Sequence, residues 1–73
     1  MKIYNVLWKD RHSDTTAKPF VKLDDAIKYA RLNATEYSRK FPEYYKESHI
    51  DGWLFHVEYS CEGDCLWVTE HDL

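Results

Sequence analysis

The sequence predicts an α+β fold in which one helix packs on a three- to four-stranded, mainly antiparallel sheet. A run of β-branched and aromatic residues opens the chain at 2–10, and an amphipathic pattern with a step of three to four residues follows from 23 to 40. Two further runs, 53–61 and 65–71, flank a glycine. At 73 residues the chain is expected to form one domain, 1–73, in the order β-(β)-α-β-β with a C-terminal hairpin.

The N-terminal part predicts one strong strand and one weak strand. Alternation gives the run at 2–10 two largely apolar faces, with Ile3, Asn5 and Leu7 on one and Tyr4, Val6 and Trp8 on the other. Residues 11–17, RHSDTTA, are polar and predict a turn region. Residues 18–22, KPFVK, predict a short strand, which Pro19 restricts to a sheet edge because proline cannot donate to a ladder.

A helix is predicted from Leu23 to near residue 40. Asp24 is the expected N-cap, because its carboxylate can accept from the free backbone N–H groups at the positive end of the helix. The apolar stripe comprises Ala26, Ile27, Ala30, Ala34, Tyr37 and Phe41. Pro42 disfavours helical geometry in the residue before it and so ends the helix. The alanines on the stripe predict a close approach between the helix and the sheet.

The C-terminal part predicts a connection followed by a hairpin. Residues 42–52 form a connection that is long for so small a domain. The run at 53–61 then alternates, with Trp53, Phe55, Val57, Tyr59 and Cys61 on one face. The run at 65–71 is the second strand of the hairpin, and Gly63 occupies the turn position that most needs a positive φ.

The length of the hairpin loop decides which side chains share a face, because a one-residue shift moves every side chain of a strand to the other face. A three-residue loop, 62–64, is the preferred prediction, since it places Gly63 where a type I turn with a bulge uses glycine. It pairs Cys61 with Cys65, Tyr59 with Trp67, Val57 with Thr69 and Phe55 with His71. A two- or four-residue loop is the alternative, and it groups Leu66 and Val68 with Phe55, Val57 and Tyr59.

Charge is distributed unevenly along the chain. Residues 1–46 contain all ten Lys and Arg and six of the thirteen acids, for a net charge of +4. Residues 47–73 contain the other seven acids, for a net charge of −7. The helix cations Lys28, Arg31 and Arg39 suggest a nucleic-acid-binding face, but a sequence pI near 5.7 argues against direct nucleic-acid binding.

No signal peptide or membrane-spanning run is evident in the sequence. We therefore expect a cytoplasmic protein, of bacterial or phage type, whose two cysteines are reduced. The string 11–14, RHSD, contains the residue types of a hydrolase triad, but neighbours on an extended chain point apart. No catalytic or cofactor-binding signature is present, and the expectation is a protein that is not an enzyme and binds no cofactor.

Protein interaction is the function that the sequence favours. The candidate partner-binding residues surround one aromatic anchor with carboxylates: Glu58, Glu62, Asp64, Trp67, Glu70 and Asp72. Such a surface would dock on a basic surface of a nucleic-acid-handling protein and inhibit it. The sheet face that a single helix leaves uncovered predicts a homodimer.

Two other functions are compatible with the sequence. A metal- or redox-responsive protein would use Cys61 and Cys65, although the nearest histidines, His56 and His71, do not give a standard zinc spacing. A small nucleic-acid-binding protein is the third hypothesis.

Overall fold

The computed structural model describes residues 1–10 and 13–73, which form one helix packed on a five-stranded antiparallel sheet. The elements are β1 (Lys2–Asp10), β2 (Ser13–Phe20), α1 (Leu23–Tyr37), a 3₁₀ turn (Pro42–Tyr44), β3 (Lys46–Glu47), β4 (Phe55–Glu58) and β5 (Cys65–Asp72). The strand order is β2-β1-β5-β4-β3. The described residues contain no helix that is long and apolar enough to cross a membrane.

The α+β class is confirmed, but the predicted number of three to four strands is wrong. β2 begins at Ser13 rather than at residue 18, so the described part of the predicted turn region is strand; Arg11 and His12 lie outside the described residues. β2 is an edge strand, as Pro19 predicts. The first half of β2 is polar and forms a strand because it pairs with β1. The composition of β2 alone does not predict this pairing. The fifth strand, β3, lies within the predicted connection 42–52.

The helix begins at Leu23, as predicted, but its cap residue differs from the prediction and it ends earlier. The backbone N–H of Ala26 donates to Lys22 O at 3.2 Å, so Lys22 occupies the cap position and makes no side-chain cap hydrogen bond. The prediction that Asp24 is the N-cap is therefore wrong, and both Asp24 and Asp25 lie in the first helical turn. At the other end the N–H of Ser38 donates to Ala34 O at 3.0 Å, and the helix ends at Tyr37.

The core lies between the alanine side of α1 and one face of the sheet. Ala26, Ala30 and Ala34 are fully buried, as the predicted close approach requires. Their partners on the sheet are the largest fully buried side chains: Val6, Val57, Leu66 and Val68. Phe41, at the end of the predicted stripe, lies beyond the helix and is 56% exposed. Tyr59 is buried in the core as well, and Trp8, Phe20 and Phe55 are partly buried against this core.

The β4–β5 hairpin has the alternative register. Phe55 pairs with Val68, His56 with Trp67, Val57 with Leu66 and Glu58 with Cys65. The N–H of Tyr59 donates to Asp64 O at 3.2 Å, so the loop has four residues, 60–63, and the three-residue loop is wrong. This register buries Leu66 and Val68 against the helix, whereas the other would have turned both away from it. Gly63 keeps its role in the turn, with φ of +84°.

Candidate protein-interaction site

The sheet face opposite α1 has an uncharged part and a charged end. Strand alternation and register place Lys9, Cys65, Glu58 and Lys46 at one end of this side of the sheet. Beyond that row they place ten further side chains, which we call the open face: Ile3, Asn5, Leu7, Ala17, Pro19, Trp53, His56, Trp67, Thr69 and His71. None of them is Asp, Glu, Lys or Arg, although these residues make up 32% of the chain. Charged side chains on this side of the sheet, Lys9, Glu58 and Lys46, lie at its end near the hairpin loop, and the part around Trp67 is uncharged.

A stacked tryptophan pair lies at the centre of the open face. The ring centroids of Trp53 and Trp67 are 5.0 Å apart with an interplanar angle of 23°. Trp53 also contacts the ring of His56, with centroids 5.4 Å apart. His56 is buried, and its Nδ1 atom has no hydrogen-bond partner within the described part of the chain. The three rings pack against one another and form an aromatic platform.

One border of the open face is a row of charged and polar side chains across four strands. Lys46 pairs with Glu58, Glu58 with Cys65, and Cys65 with Lys9. Both signs of charge are present in this row. It separates the uncharged face from the hairpin loop 60–63.

The structure does not bring the six sequence-predicted partner residues onto one surface. Trp67 lies on the open face and Glu58 at its border. Glu70 and Asp72 have the opposite parity on β5, and Glu70 Oε1 lies 2.6 Å from Lys2 Nζ. Glu62 is exposed in the loop, whereas Asp64 is buried and accepts from Ser60 Oγ at 3.0 Å. Strand alternation separates these residues, because odd and even positions of β5 face opposite sides.

The two cysteines occupy different environments. Cys61 is exposed, Cys65 is buried, and they are not bonded to each other. Burial raises the pKa of the Cys65 thiol, and the nearby Glu58 adds to this effect. A raised pKa lowers the fraction of reactive thiolate. No group of three or more metal-binding side chains occurs within residues 1–10 and 13–73.

We expect the two thiols to react at different rates in the native protein. Ellman's reagent should modify Cys61 quickly and Cys65 at least about tenfold more slowly, because Cys65 is buried and its thiolate is disfavoured. A Cys61→Ser variant should lose the fast phase, and Cys65→Ser should keep it. Equal rates for the two thiols would contradict the buried position of Cys65.

A hydrogen-bonded chain ties the elements together on the helix side of the sheet. Trp8 Nε1 donates to the Tyr59 hydroxyl at 2.7 Å, and this hydroxyl donates to Asp10 Oδ2 at 2.7 Å. The Tyr37 ring packs against Trp8 and Tyr59, with centroids 4.8 Å and 5.4 Å apart. These groups connect β1, α1 and the end of β4, and their contacts are those of a structural network.

Two of the helix cations of the nucleic-acid hypothesis are engaged by carboxylates. Arg31 donates to both carboxylate oxygens of Glu47, at 3.0 Å and 3.1 Å, and Tyr45 donates to Glu47 as well. Arg39 Nη1 lies 3.2 Å from Glu36 Oε1. These pairs are exposed and contribute little to stability, but they reduce the positive charge that the helix offers to phosphates.

Sequence reasoning identified Trp67 but missed Trp53, His56 and Leu7 as its neighbours. Trp53 was expected to share a face with Phe55, but the backbone leaves regular alternation just before β4. Phe55 pairs with Val68, and the N–H of Leu54 donates to Val68 O at 2.9 Å. The signal that could have found Leu7 is the alternation of β1, combined with the four-residue loop.

The chain matches no protein-family model, no curated protein and no solved structure. Its function is therefore argued from its own residues.

Proposed function

We propose that this chain is a small non-enzymatic protein-interaction module and that the open face is its docking surface. The observation that carries the proposal is a stacked tryptophan pair within ten uncharged side chains, with the charged row Lys9, Glu58 and Lys46 at one end only. The centres of protein interfaces are depleted of charged residues and enriched in aromatic ones. The open face has both properties.

The tryptophan pair is suited to serve as the binding anchor. Tryptophan is among the residues whose removal costs most at protein interfaces. Trp53 and Trp67 are already ordered by their contact with each other and with His56, so a partner loses little binding free energy to fixing them. Leu7 pairs with Trp67 and extends the apolar surface onto β1.

A finer proposal concerns the partner, a basic surface of a nucleic-acid-handling protein that this chain would inhibit. The net charge of −7 over residues 47–73 supports it. A partner that covers Trp67 also reaches Glu58 at the border, where Lys9 and Lys46 are close neighbours. Glu70 and Asp72 lie on the other side of β5 and would take no part. The charge contribution to such docking is therefore expected to be small.

The metal- or redox-responsive alternative gains no support from the geometry. Cys61 lies exposed in the hairpin loop, and Cys65 is buried on β5 opposite Glu58. A redox pair or a two-cysteine metal clip requires the two sulfur atoms to be accessible together.

The docking surface can be tested with a photo-crosslinking amino acid. We expect p-benzoylphenylalanine at Leu7, on the open face, to form protein adducts in extracts of cells that make the chain. The matched control is the same probe at Leu32, which is 68% exposed on the outer side of α1. Trp67→Ala should reduce the Leu7 adducts at least about tenfold, because a central tryptophan is removed. The absence of adducts at Leu7, or equal adducts at Leu32, would refute the proposed surface.

A further inference from the structure

We infer that the partner on the open face is a second copy of this chain, joined to the first sheet to sheet about a two-fold axis. The inference rests on the proposed function, because it names the occupant of the same face. Three observations support it: the size of the core, the charge of the face and the area that the face offers.

The core leaves most of the chain's aromatic side chains half-buried at its edge or exposed. Of the twelve aromatic residues, all of which are described, Tyr59 alone is buried. A domain of this size has a small core, and a disulfide, a metal or oligomerisation adds to its stability. The two cysteines are free. A second sheet stacked on the open face would bury Trp53 and Trp67 and add the third layer that a single helix cannot supply.

The charge of the open face matches a second copy better than a basic partner. Two chains of net charge −3 repel each other as whole molecules, but the ten side chains of the open face add nothing to that repulsion. A strongly basic partner would find no counter-charges among them. The border row has Glu58 between Lys9 and Lys46, so the row of one copy can complement that of another.

The area of the face reaches the lower limit for a specific dimer. Four strands spaced at about 4.8 Å, and a length of about 27 Å along β5, give about 500 Å² for each copy. Two copies would cover about 1,000 Å², the smallest area expected of a biological interface. The dimer should therefore form reversibly and depend on concentration.

Sedimentation equilibrium over a range of concentrations tests the inference. The wild-type mass should rise from 8.8 kDa towards twice that value as concentration increases. Thr69→Lys places a charge between Trp67 and His71 on the open face, and should raise the dimer dissociation constant at least about tenfold. The matched control, Thr35→Lys, adds the same charge on the exposed side of α1 and should sediment like the wild type. Asn5 lies opposite Thr69 on β1. If Thr69→Lys fails to fold, Asn5→Lys replaces it and should raise the dimer dissociation constant in the same way.

The outcomes separate this inference from the proposed function. A wild-type chain that remains at 8.8 kDa at all concentrations would overturn the dimer, as would a folded Thr69→Lys variant that dimerises normally. A Leu7 photo-adduct of twice the chain mass supports the second copy. A Leu7 adduct with a different protein, from a chain that sediments as a monomer, would retain the proposed function and overturn the dimer. A monomer without any adduct would overturn both.

Discussion

Replacing Leu66 with alanine should lower the free energy of unfolding by about 2–5 kcal/mol, the largest effect that we expect from a single substitution. Leu66 is fully buried on β5, between Trp8 of β1 and Val57 of β4, and faces the helix. Alanine would leave a cavity there, because a close-packed core relaxes only partly around a truncated side chain. A chain of 73 residues typically has about 4–11 kcal/mol of stability in total, so the variant should be close to unfolding.

Leu32→Ala is the matched control for Leu66→Ala. Leu32 lies on α1 and is 68% exposed, so its truncation should change stability by less than about 0.5 kcal/mol. Urea denaturation followed by circular dichroism would measure both variants. Equal losses would show that β5 does not lie against the helix in this register.

Tyr59→Phe should lower the free energy of unfolding by about 1–3 kcal/mol at neutral pH. The change removes a hydroxyl that accepts from Trp8 Nε1 and donates to Asp10 Oδ2, both at 2.7 Å. The ring and its contact with Tyr37 are kept, so the loss reports the hydrogen bonds. Tyr44→Phe is the control, since Tyr44 is 39% exposed, and its stability should match the wild type. If Tyr59→Phe were as stable as the wild type, the hydrogen bonds of Tyr59 would contribute nothing to the free energy of unfolding.

The same variant should change the alkaline pH dependence of stability. Burial, with the hydrogen bond to Asp10, raises the pKa of the Tyr59 hydroxyl above its ordinary value of 10.0. A raised folded-state pKa contributes stability that is complete below about pH 10 and is lost as the pH rises towards the folded value. Between about pH 9 and pH 11 the wild type should therefore lose more stability than Tyr59→Phe. The pKa of Tyr45, raised to about 12 mainly by burial, affects both proteins equally.

The parts of the fold that depend on local pattern could be predicted from the sequence. The bounds of β1 and the buried alanines of α1 follow from alternation and from helical spacing. The hairpin loop was not predictable in the same way, because its length is decided by which side chains of β5 meet the distant helix. β2 and β3 have weak strand composition, and each is held by its neighbour in the sheet.

The candidate site was predictable only in part for the same reason. The sequence identified Trp67 as an aromatic anchor, but it grouped that residue with acids that lie nearby in the sequence. Glu70 and Asp72 are three and five positions from Trp67, and odd spacing on a strand places side chains on opposite faces. The neighbours that matter, Leu7 and Trp53, come from β1 and from an irregular segment before β4.

The central position of β5 determines when this chain can fold as it is synthesised. β5 is the last of the described strands in the sequence, yet it pairs with β1 on one side and β4 on the other. A nascent chain that has emerged only as far as β4 lacks Leu66 and Val68 and cannot close the sheet. We therefore expect folding to begin only after residues 65–72 have left the ribosome, and to be slowed by the large sequence separation of β1 and β5. Until then, β1 has an unpaired edge to which chaperones or other nascent chains can bind.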